Sequence, residues 1–107
     1  DIEGLVVHSA PEAKMDPNYW LTTVRFEDAK HTINDELLPF VDKLNAANIE
    51  TRPLWKPMHL QTVYKDAPAY TNGVSERLFS CGLCLPSGPY VGEREIDYIT
   101  RNIVENL

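Results

Sequence analysis

The sequence predicts an α+β fold, with a small, mainly antiparallel sheet and about three helices packed on one face of that sheet. Short apolar or alternating segments, which are typical of strands, are interleaved with segments whose apolar residues recur every three or four positions. The composition of 43% hydrophobic and 24% charged residues is ordinary for a soluble globular fold. A length of 107 residues accommodates one domain, residues 1–107, with a modest core.

The N-terminal quarter of the chain contains two predicted strands. Residues 5–7 form a short apolar run, which predicts the first strand. From residue 19 to residue 26 aromatic and β-branched residues alternate, which predicts a second strand with Trp20 on the same face as Phe26. The polar cluster at 27–31 predicts a turn.

An amphipathic helix follows this turn. Its buried stripe is predicted from apolar residues at three- and four-residue steps, namely Ile33, Leu37, Phe40, Val41 and Leu44. Thr32 and Asp35 have the spacing of an N-terminal cap. Pro39 lies inside the pattern and is expected to kink the helix or to shorten its ordered part. Asn48 suits the end of the helix.

The middle of the chain predicts a strand, a long irregular segment, a helix and a further strand. The strand covers residues 49–52, and residues 53–73 show no steady period. The helix covers about 74–81, with Gly82 as its left-handed terminator. Residues 83–85 form an apolar run that predicts a buried strand.

A last helix is predicted from about residue 92 to residue 106. Glu93 and Glu95 complement the dipole at its N-terminus. Apolar residues at helical spacing mark its buried stripe, namely Ile96, Ile99, Ile103 and Leu107.

Residues 52–59, which we call the basic-aromatic strip, concentrate the candidate binding side chains Arg52, Trp55, Lys56 and His59. Prolines at two positions fix their own φ angles and push the preceding residues to extended backbone, so the strip is predicted to be rigid and non-helical. Guanidinium, ammonium and imidazole groups donate to anionic oxygens, and an indole stacks on a sugar or a base. We therefore predict a substrate-binding site here. The alternative is a surface loop in which Trp55 is a buried plug.

The pair Cys81 and Cys84 forms a CxxC motif, but a structural zinc site needs four ligands and the sequence has no second CxxC. A redox CxxC requires its first thiol at a helix N-terminus, whereas Cys81 is predicted at a helix C-terminus. We therefore predict packing thiols and no metal site. The sequence has no Gly-x-Ser-x-Gly, GxGxxG or phosphate-loop lysine motif, and we assign no catalytic residue to this chain.

The net charge of −6, from 16 acidic and 10 basic residues, argues against nucleic acid as a partner, because polyphosphate backbones select basic surfaces. No apolar run approaches the ~18 residues that a membrane span needs. Two cysteines are too few for a disulfide scaffold, and this favours the reducing cytoplasm.

Four segments of the sequence together resemble one enzyme family. Residues 50–61 (ETRPLWKPMHLQ) are the most specific of them, followed by 73–79 (GVSERLF), 82–88 (GLCLPSG) and 17–23 (PNYWLTT). In this order they resemble the C-terminal small domain of the DegT/StrS-type aminotransferases. These are pyridoxal-phosphate (PLP) enzymes, of fold type I, that aminate keto groups on nucleotide-activated sugars.

The resemblance implies a large PLP-binding domain that is absent from this chain and carries the Schiff-base lysine. It implies an amino donor, glutamate, and an acceptor, a UDP-linked 4-keto-6-deoxy sugar, for surface polysaccharide or glycan synthesis. It also implies a homodimer with sites near the subunit boundary. The isolated chain is expected to be inactive, because none of its lysines lies in the family's lysine motif.

Two other functions remain open from the residues alone. The chain could be a free-standing nucleotide- or sugar-binding or regulatory module that uses the basic-aromatic strip without catalysis. It could also be a small zinc or thiol module, which predicts metal in the purified protein.

Overall fold

A computed structural model describes residues 2–27 and 31–107. Four strands and three α-helices lie within these residues, in the order β1 (Leu5–Val7), β2 (Thr22–Phe26), α1 (Leu37–Ala46), β3 (Arg52–Pro53), α2 (Val74–Cys81), β4 (Gly82–Leu85) and α3 (Glu93–Asn106). The strands form one sheet in the order β1-β2-β4-β3, and every neighbouring pair is antiparallel. The predicted α+β fold is confirmed.

The hydrophobic core lies between one face of the sheet and the helices α1 and α3. Alternation along the central strands places Val24, Phe26 and Leu83 on this face, and all three are buried. The helices contribute the other buried apolar side chains of the cluster, which are Leu37, Phe40, Val41, Leu44 and Ile103, and Ile49 joins them. The predicted stripe of α1 is therefore buried from Leu37 onward.

The second strand begins at Thr22, three residues later than predicted. Tyr19 has a φ of 48°, in the left-handed region, so the backbone turns before the strand can start. The prediction that Trp20 shares a strand face with Phe26 is wrong, since Trp20 precedes the strand and its side chain is exposed, whereas Phe26 is buried. Residues 28–30 of the predicted turn lie outside the described residues.

Helix α1 begins a turn later than its apolar pattern indicates. The backbone carbonyl of Thr32 accepts hydrogen bonds from the N–H groups of Asp35 and Leu37 at 2.9 and 3.1 Å, so this segment is a turn and the predicted cap is wrong. The late start places Pro39 in the first helical turn, where its missing N–H costs no helical bond. At the other end Asn48 has a φ of 59°, which confirms it as the helix terminator.

The predicted strand at 49–52 is shorter and lies later, at Arg52–Pro53. The backbone of Thr51, which was predicted to belong to this strand, bonds to a side chain instead of to a neighbouring strand. The Asn45 amide accepts from the Thr51 N–H at 2.9 Å and donates to the Thr51 carbonyl at 3.2 Å. Asn45 thus satisfies both backbone groups of a buried residue and fixes the start of the basic-aromatic strip.

Helix α2 has the predicted bounds, but the predicted role of Gly82 is wrong. Gly82 has an extended backbone and is the first residue of β4, so the helix runs directly into the sheet. A Cβ at Gly82 would lie 2.3 Å from the Leu54 side chain and 2.6 Å from the Leu78 carbonyl oxygen. Glycine is therefore needed for close packing here. The glycine with a left-handed backbone next to this helix is Gly73, which has a φ of 80° and precedes the helix.

Helix α3 has the predicted position, and the Glu95 carboxylate accepts a hydrogen bond from the Gly92 N–H at 2.9 Å. Its predicted buried stripe is only partly correct. Ile103 is buried and Ile99 is half-buried, whereas Ile96 is 53% exposed and Leu107 is 47% exposed. The reason at Ile96 is an open apolar groove of about 790 Å³ between the N-terminal half of the helix and the sheet.

Within residues 2–27 and 31–107, no helix has both the length and the apolar character that are needed to cross a bilayer.

Candidate functional site

The basic-aromatic strip begins as the edge strand β3 and then leaves the sheet. Arg52 and Pro53 pair with Cys84 and Leu83 of β4, and the Leu54 N–H donates to the Gly82 carbonyl at 3.0 Å. After Pro57 the chain forms a 3-10 turn at Met58–Leu60, which contains His59. The first part of the strip is therefore anchored to the central strand by backbone hydrogen bonds.

Two indoles form the wall of a cleft beside the strip. The ring centroids of Trp20 and Trp55 are 6.4 Å apart and the rings are tilted by 38°. Their side chains are 73% and 66% exposed. We call this space of about 1000 Å³ the indole cleft, and its lining includes Trp20, Glu50, Arg52, Trp55, Ser87 and Tyr90. Two exposed aromatic faces at this spacing offer a platform for a flat or apolar ring.

Trp20 was missed as a candidate site residue because the alternating pattern places it inside a strand, on the same face as Phe26. Its N–H bonds to the Asn18 side chain at 3.1 Å, and its carbonyl accepts from the Ser87 hydroxyl at 2.8 Å. These bonds hold the Trp20 backbone beside the segment after β4. The alternative of Trp55 as a buried plug is wrong, since two thirds of its surface is exposed.

The charge in the indole cleft is balanced. The Arg52 guanidinium donates to the Glu50 carboxylate at 2.6 Å, and both side chains are largely exposed. Among the described residues that line the cleft, these two carry the only formal charges at neutral pH. An anionic ligand must therefore compete with Glu50 for the guanidinium or use its remaining N–H groups.

Removing the competing carboxylate should strengthen anion binding. We expect Glu50→Gln to raise the affinity of the chain for a nucleoside diphosphate such as UDP by about 2- to 5-fold at low salt. The effect should diminish as salt screens the exposed charges. Calorimetric titration measures it, with Glu105→Gln, an exposed change on α3, as the control. An equal gain in both variants would show a general charge effect and no competition in the cleft.

The other two predicted site residues do not line the indole cleft. Lys56 is exposed, and its carbonyl accepts from the Gln61 side chain at 3.0 Å, which braces the turn that follows it. The Nε2 atom of His59 lies 2.6 Å from Oε1 of Glu76 in the first turn of α2. The structure thus brings Arg52 and Trp55 together at one cleft and places Lys56 and His59 further along the strip.

The carboxyl of Glu76 is held in its ionised form. The hydrogen bond from its own backbone N–H, assisted by His59, lowers the pKa of Glu76 although partial burial acts in the opposite direction. Its Oε1 atom accepts from His59, whereas its Oε2 atom is buried and has no hydrogen-bond partner in the described part of the chain. Glu76 was not predicted from the sequence, because the pair spans 17 positions.

The two thiols occupy positions that are typical of packing residues. Cys81 ends α2 and its thiol donates to the Arg77 carbonyl at 3.2 Å. Cys84 is buried in β4, and burial raises the pKa of its thiol, which disfavours the reactive thiolate. No group of three or more potential His, Cys, Asp or Glu ligands is clustered within the described residues.

Comparison with known proteins extends these findings. The profile of the DegT/DnrJ/EryC1/StrS aminotransferase family matches residues 1–104. EpsN of Bacillus subtilis (strain 168), to which a pyridoxal phosphate-dependent aminotransferase activity is ascribed, is 43% identical over 84 residues, covering 73% of this chain and 20% of EpsN. GDP-perosamine synthase of Caulobacter vibrioides is 30% identical over 81 residues, covering 76% of this chain and 21% of the synthase.

The fold has a counterpart among solved structures. The aminotransferase TlmJ from Streptoalloteichus hindustanus superposes with a TM-score of 0.78 at 18% identity, covering 98% of this chain and 26% of TlmJ. The chain spans about a fifth of the length of the curated relatives it matches. The solved structure shows that the fold is shared, and the family match over nearly the whole sequence confirms the family resemblance noted above: this chain belongs to the DegT/DnrJ/EryC1/StrS aminotransferase family.

Proposed function

We propose that this chain is the C-terminal small domain of a PLP-dependent aminotransferase that transfers an amino group from glutamate to a keto group on a nucleotide-activated sugar. Support comes from the family match. It also comes from the length of the chain, which spans only 20% of its relative EpsN and so corresponds to one part of a larger enzyme. The observation that carries the proposal is the indole cleft, where Trp20, Trp55 and Arg52 place stacking faces beside a guanidinium. A base or sugar ring and a phosphate are the chemical groups that such a surface recognises.

The described residues do not by themselves fit a PLP site. A lysine that forms a Schiff base is activated in a desolvated pocket, and PLP also needs an acid beside its pyridinium nitrogen. Lys14, Lys43, Lys56 and Lys65 are all exposed, and Lys14 pairs with Glu12 at 2.8 Å. We therefore assign the cofactor and the reacting amine to a large domain outside this chain, and the chain alone is expected to be inactive.

Within the complete enzyme the role of this domain is to form one wall of the substrate site. The indoles support the base or the sugar, and Arg52 and Lys56 contact the diphosphate, while His59 contacts a further oxygen. We propose a UDP-linked 4-keto-6-deoxy sugar as the acceptor, used for surface polysaccharide or glycan synthesis in the cytoplasm. A GDP-linked acceptor is the direct competitor, because the name of one relative contains a GDP-sugar. The enzyme acts as a homodimer in this proposal.

Loss of the Trp55 indole tests the position of the substrate site. In the complete protein, Trp55→Ala should raise KM for the nucleotide sugar by about 5- to 100-fold, as expected for the loss of one stacked ring. The stability of the domain should change little, because the side chain is exposed. Steady-state kinetics with UDP- and GDP-linked keto sugars measure the effect and also identify the nucleotide.

The matched control is Tyr70→Ala, since Tyr70 is a fully exposed aromatic residue outside the cleft lining. An unchanged KM in Trp55→Ala would show that the substrate site lies elsewhere. In the same preparation, borohydride reduction should attach PLP to a lysine outside residues 1–107. Attachment within these residues would contradict the domain assignment.

The second function, a stand-alone binding module, uses the same cleft without chemistry. It predicts a complete polypeptide with no lysine that borohydride reduction links to PLP. Binding of a nucleotide sugar without amino transfer by that polypeptide would favour the module over the enzyme.

A further inference from the structure

The contact between His59 and Glu76 joins the basic-aromatic strip to helix α2. His59 lies in the 3-10 turn Met58–Leu60 and Glu76 lies in the first turn of α2. The two side chains are only 20% and 32% exposed, and their facing atoms are 2.6 Å apart. Such a short, partly buried contact fixes the orientation of the imidazole ring.

The contact also determines which ring nitrogen carries the proton. An ionised carboxylate can only accept hydrogen bonds, so the Nε2 atom of His59 must donate to Glu76. When the ring is neutral, its other nitrogen, Nδ1, is then an acceptor. No hydrogen bond from the described residues reaches Nδ1, so this acceptor is available to a ligand.

We propose that Glu76 is a positioning residue that holds His59 in its Nε2–H form, so that Nδ1 accepts a hydrogen bond from a hydroxyl of the sugar in the nucleotide-sugar substrate. This inference rests on the proposed function and narrows the role of one residue within it. The oxygens of a diphosphate carry no proton to donate, so a neutral Nδ1 acceptor does not suit them.

The positions of the other candidate side chains agree with separate contacts to the sugar and to the diphosphate. Arg52 and Lys56, whose charged groups only donate, precede His59 along the strip and suit the diphosphate. Arg52 lines the indole cleft, whereas Lys56 and His59 follow it along the strip outside the cleft, so His59 is the member of the three that lies furthest along the strip from Arg52. By holding His59 in its Nε2–H form, Glu76 directs this residue to the sugar and leaves the phosphates to the cationic side chains.

The first experiment measures the imidazole of this chain directly. Nitrogen-15 chemical shifts distinguish a protonated ring nitrogen from an unprotonated one. At a pH where the ring is neutral, we expect Nε2 of His59 to be protonated and Nδ1 to be unprotonated. In Glu76→Gln the carboxamide can donate as well as accept, so this preference should be lost. Protonation on Nδ1 in the unsubstituted chain would overturn the proposal.

The second experiment compares ligands with and without the sugar in the complete protein. Glu76→Gln and His59→Ala should weaken binding of UDP-N-acetylglucosamine by about 3- to 10-fold and leave binding of UDP unchanged, since one neutral hydrogen bond is lost. GDP-mannose and GDP serve as the corresponding pair if the protein prefers guanine. The control is Glu93→Gln, which changes an exposed glutamate in the first turn of α3.

The remaining outcomes separate the two proposals. Equal weakening of the nucleotide-sugar and the nucleoside diphosphate would place His59 on the nucleoside diphosphate, at its ribose or its phosphates, and would overturn the contact with the sugar that is aminated. If Trp55→Ala weakens binding and Glu76→Gln does not, only the sugar contact fails. If Trp55→Ala leaves every affinity unchanged, the proposed function fails and the sugar contact fails with it.

Discussion

Replacing Leu83 with alanine should lower the free energy of unfolding of this chain by about 3 kcal/mol. Leu83 is completely buried in the central strand β4 and belongs to the cluster beneath α1 and α3. Its truncation removes apolar contacts and leaves a cavity that close-packed neighbours fill only partly. Since small domains are stable by only about 5–15 kcal/mol, this is a large fraction of the total.

Urea unfolding followed by circular dichroism measures this loss. Val63→Ala is the matched control, because its side chain is 77% exposed and its truncation should change stability by less than about 0.5 kcal/mol. A loss below about 1 kcal/mol in Leu83→Ala would mean that the sheet face repacks around the missing side chain, and the close packing described here would be wrong.

Asn45→Ala should destabilise the chain by about 2–3 kcal/mol although it removes no core side chain. The amide of Asn45 is the partner of both the N–H and the carbonyl of Thr51, a residue that is 2% exposed. Without Asn45 these buried polar groups lose their hydrogen bonds and cannot reach water freely. The backbone of Arg52, the residue after Thr51, should also become more mobile.

Hydrogen exchange provides a local measure of the same change. The Thr51 amide should exchange much faster in Asn45→Ala, while amides in α3 should follow only the global loss of stability. Asn34→Ala serves as the control, because Asn34 is exposed and precedes α1. Unchanged protection of Thr51 would show that another group replaces the Asn45 amide.

The elements that were predicted correctly are those with local signals. Helix α2 lies between a glycine and an apolar strand, and its bounds match the prediction. The end of α1 at Asn48 is also local, since asparagine tolerates the left-handed region. The start of α1 was missed because the turn at Thr32 competes with the helix for the same residues.

The errors arose where a distant residue decides the structure. Gly82 follows a helix, a position that is typical of a left-handed terminator. Glycine is required there for a different reason, because the Leu54 side chain packs against it. The strand predicted at 49–52 is displaced by Asn45, a side chain on the preceding helix. Neither contact leaves a periodic pattern in the sequence, because each depends on how elements pack together.

In the candidate site, too, local sequence signals identify some residues, and contacts across the fold bring in others. Arg52 and Trp55 were predicted because they are neighbours in a proline-rich segment, and both line the indole cleft. Trp20 reaches that cleft from a segment that precedes β2, and the alternation of neighbouring strand residues concealed it. Glu76 became visible only as the partner of His59 across the fold.

The short strand β3 has a consequence for how molecules of this chain meet each other. It lies at one edge of the sheet, it is two residues long, and its second residue is a proline, which has no N–H to offer a strand from another molecule. Short edges that contain proline resist edge-to-edge pairing and the aggregation that follows from it. Strand addition on this side of the molecule is therefore disfavoured, and the exposed indoles beside β3 are not covered by a strand from another molecule.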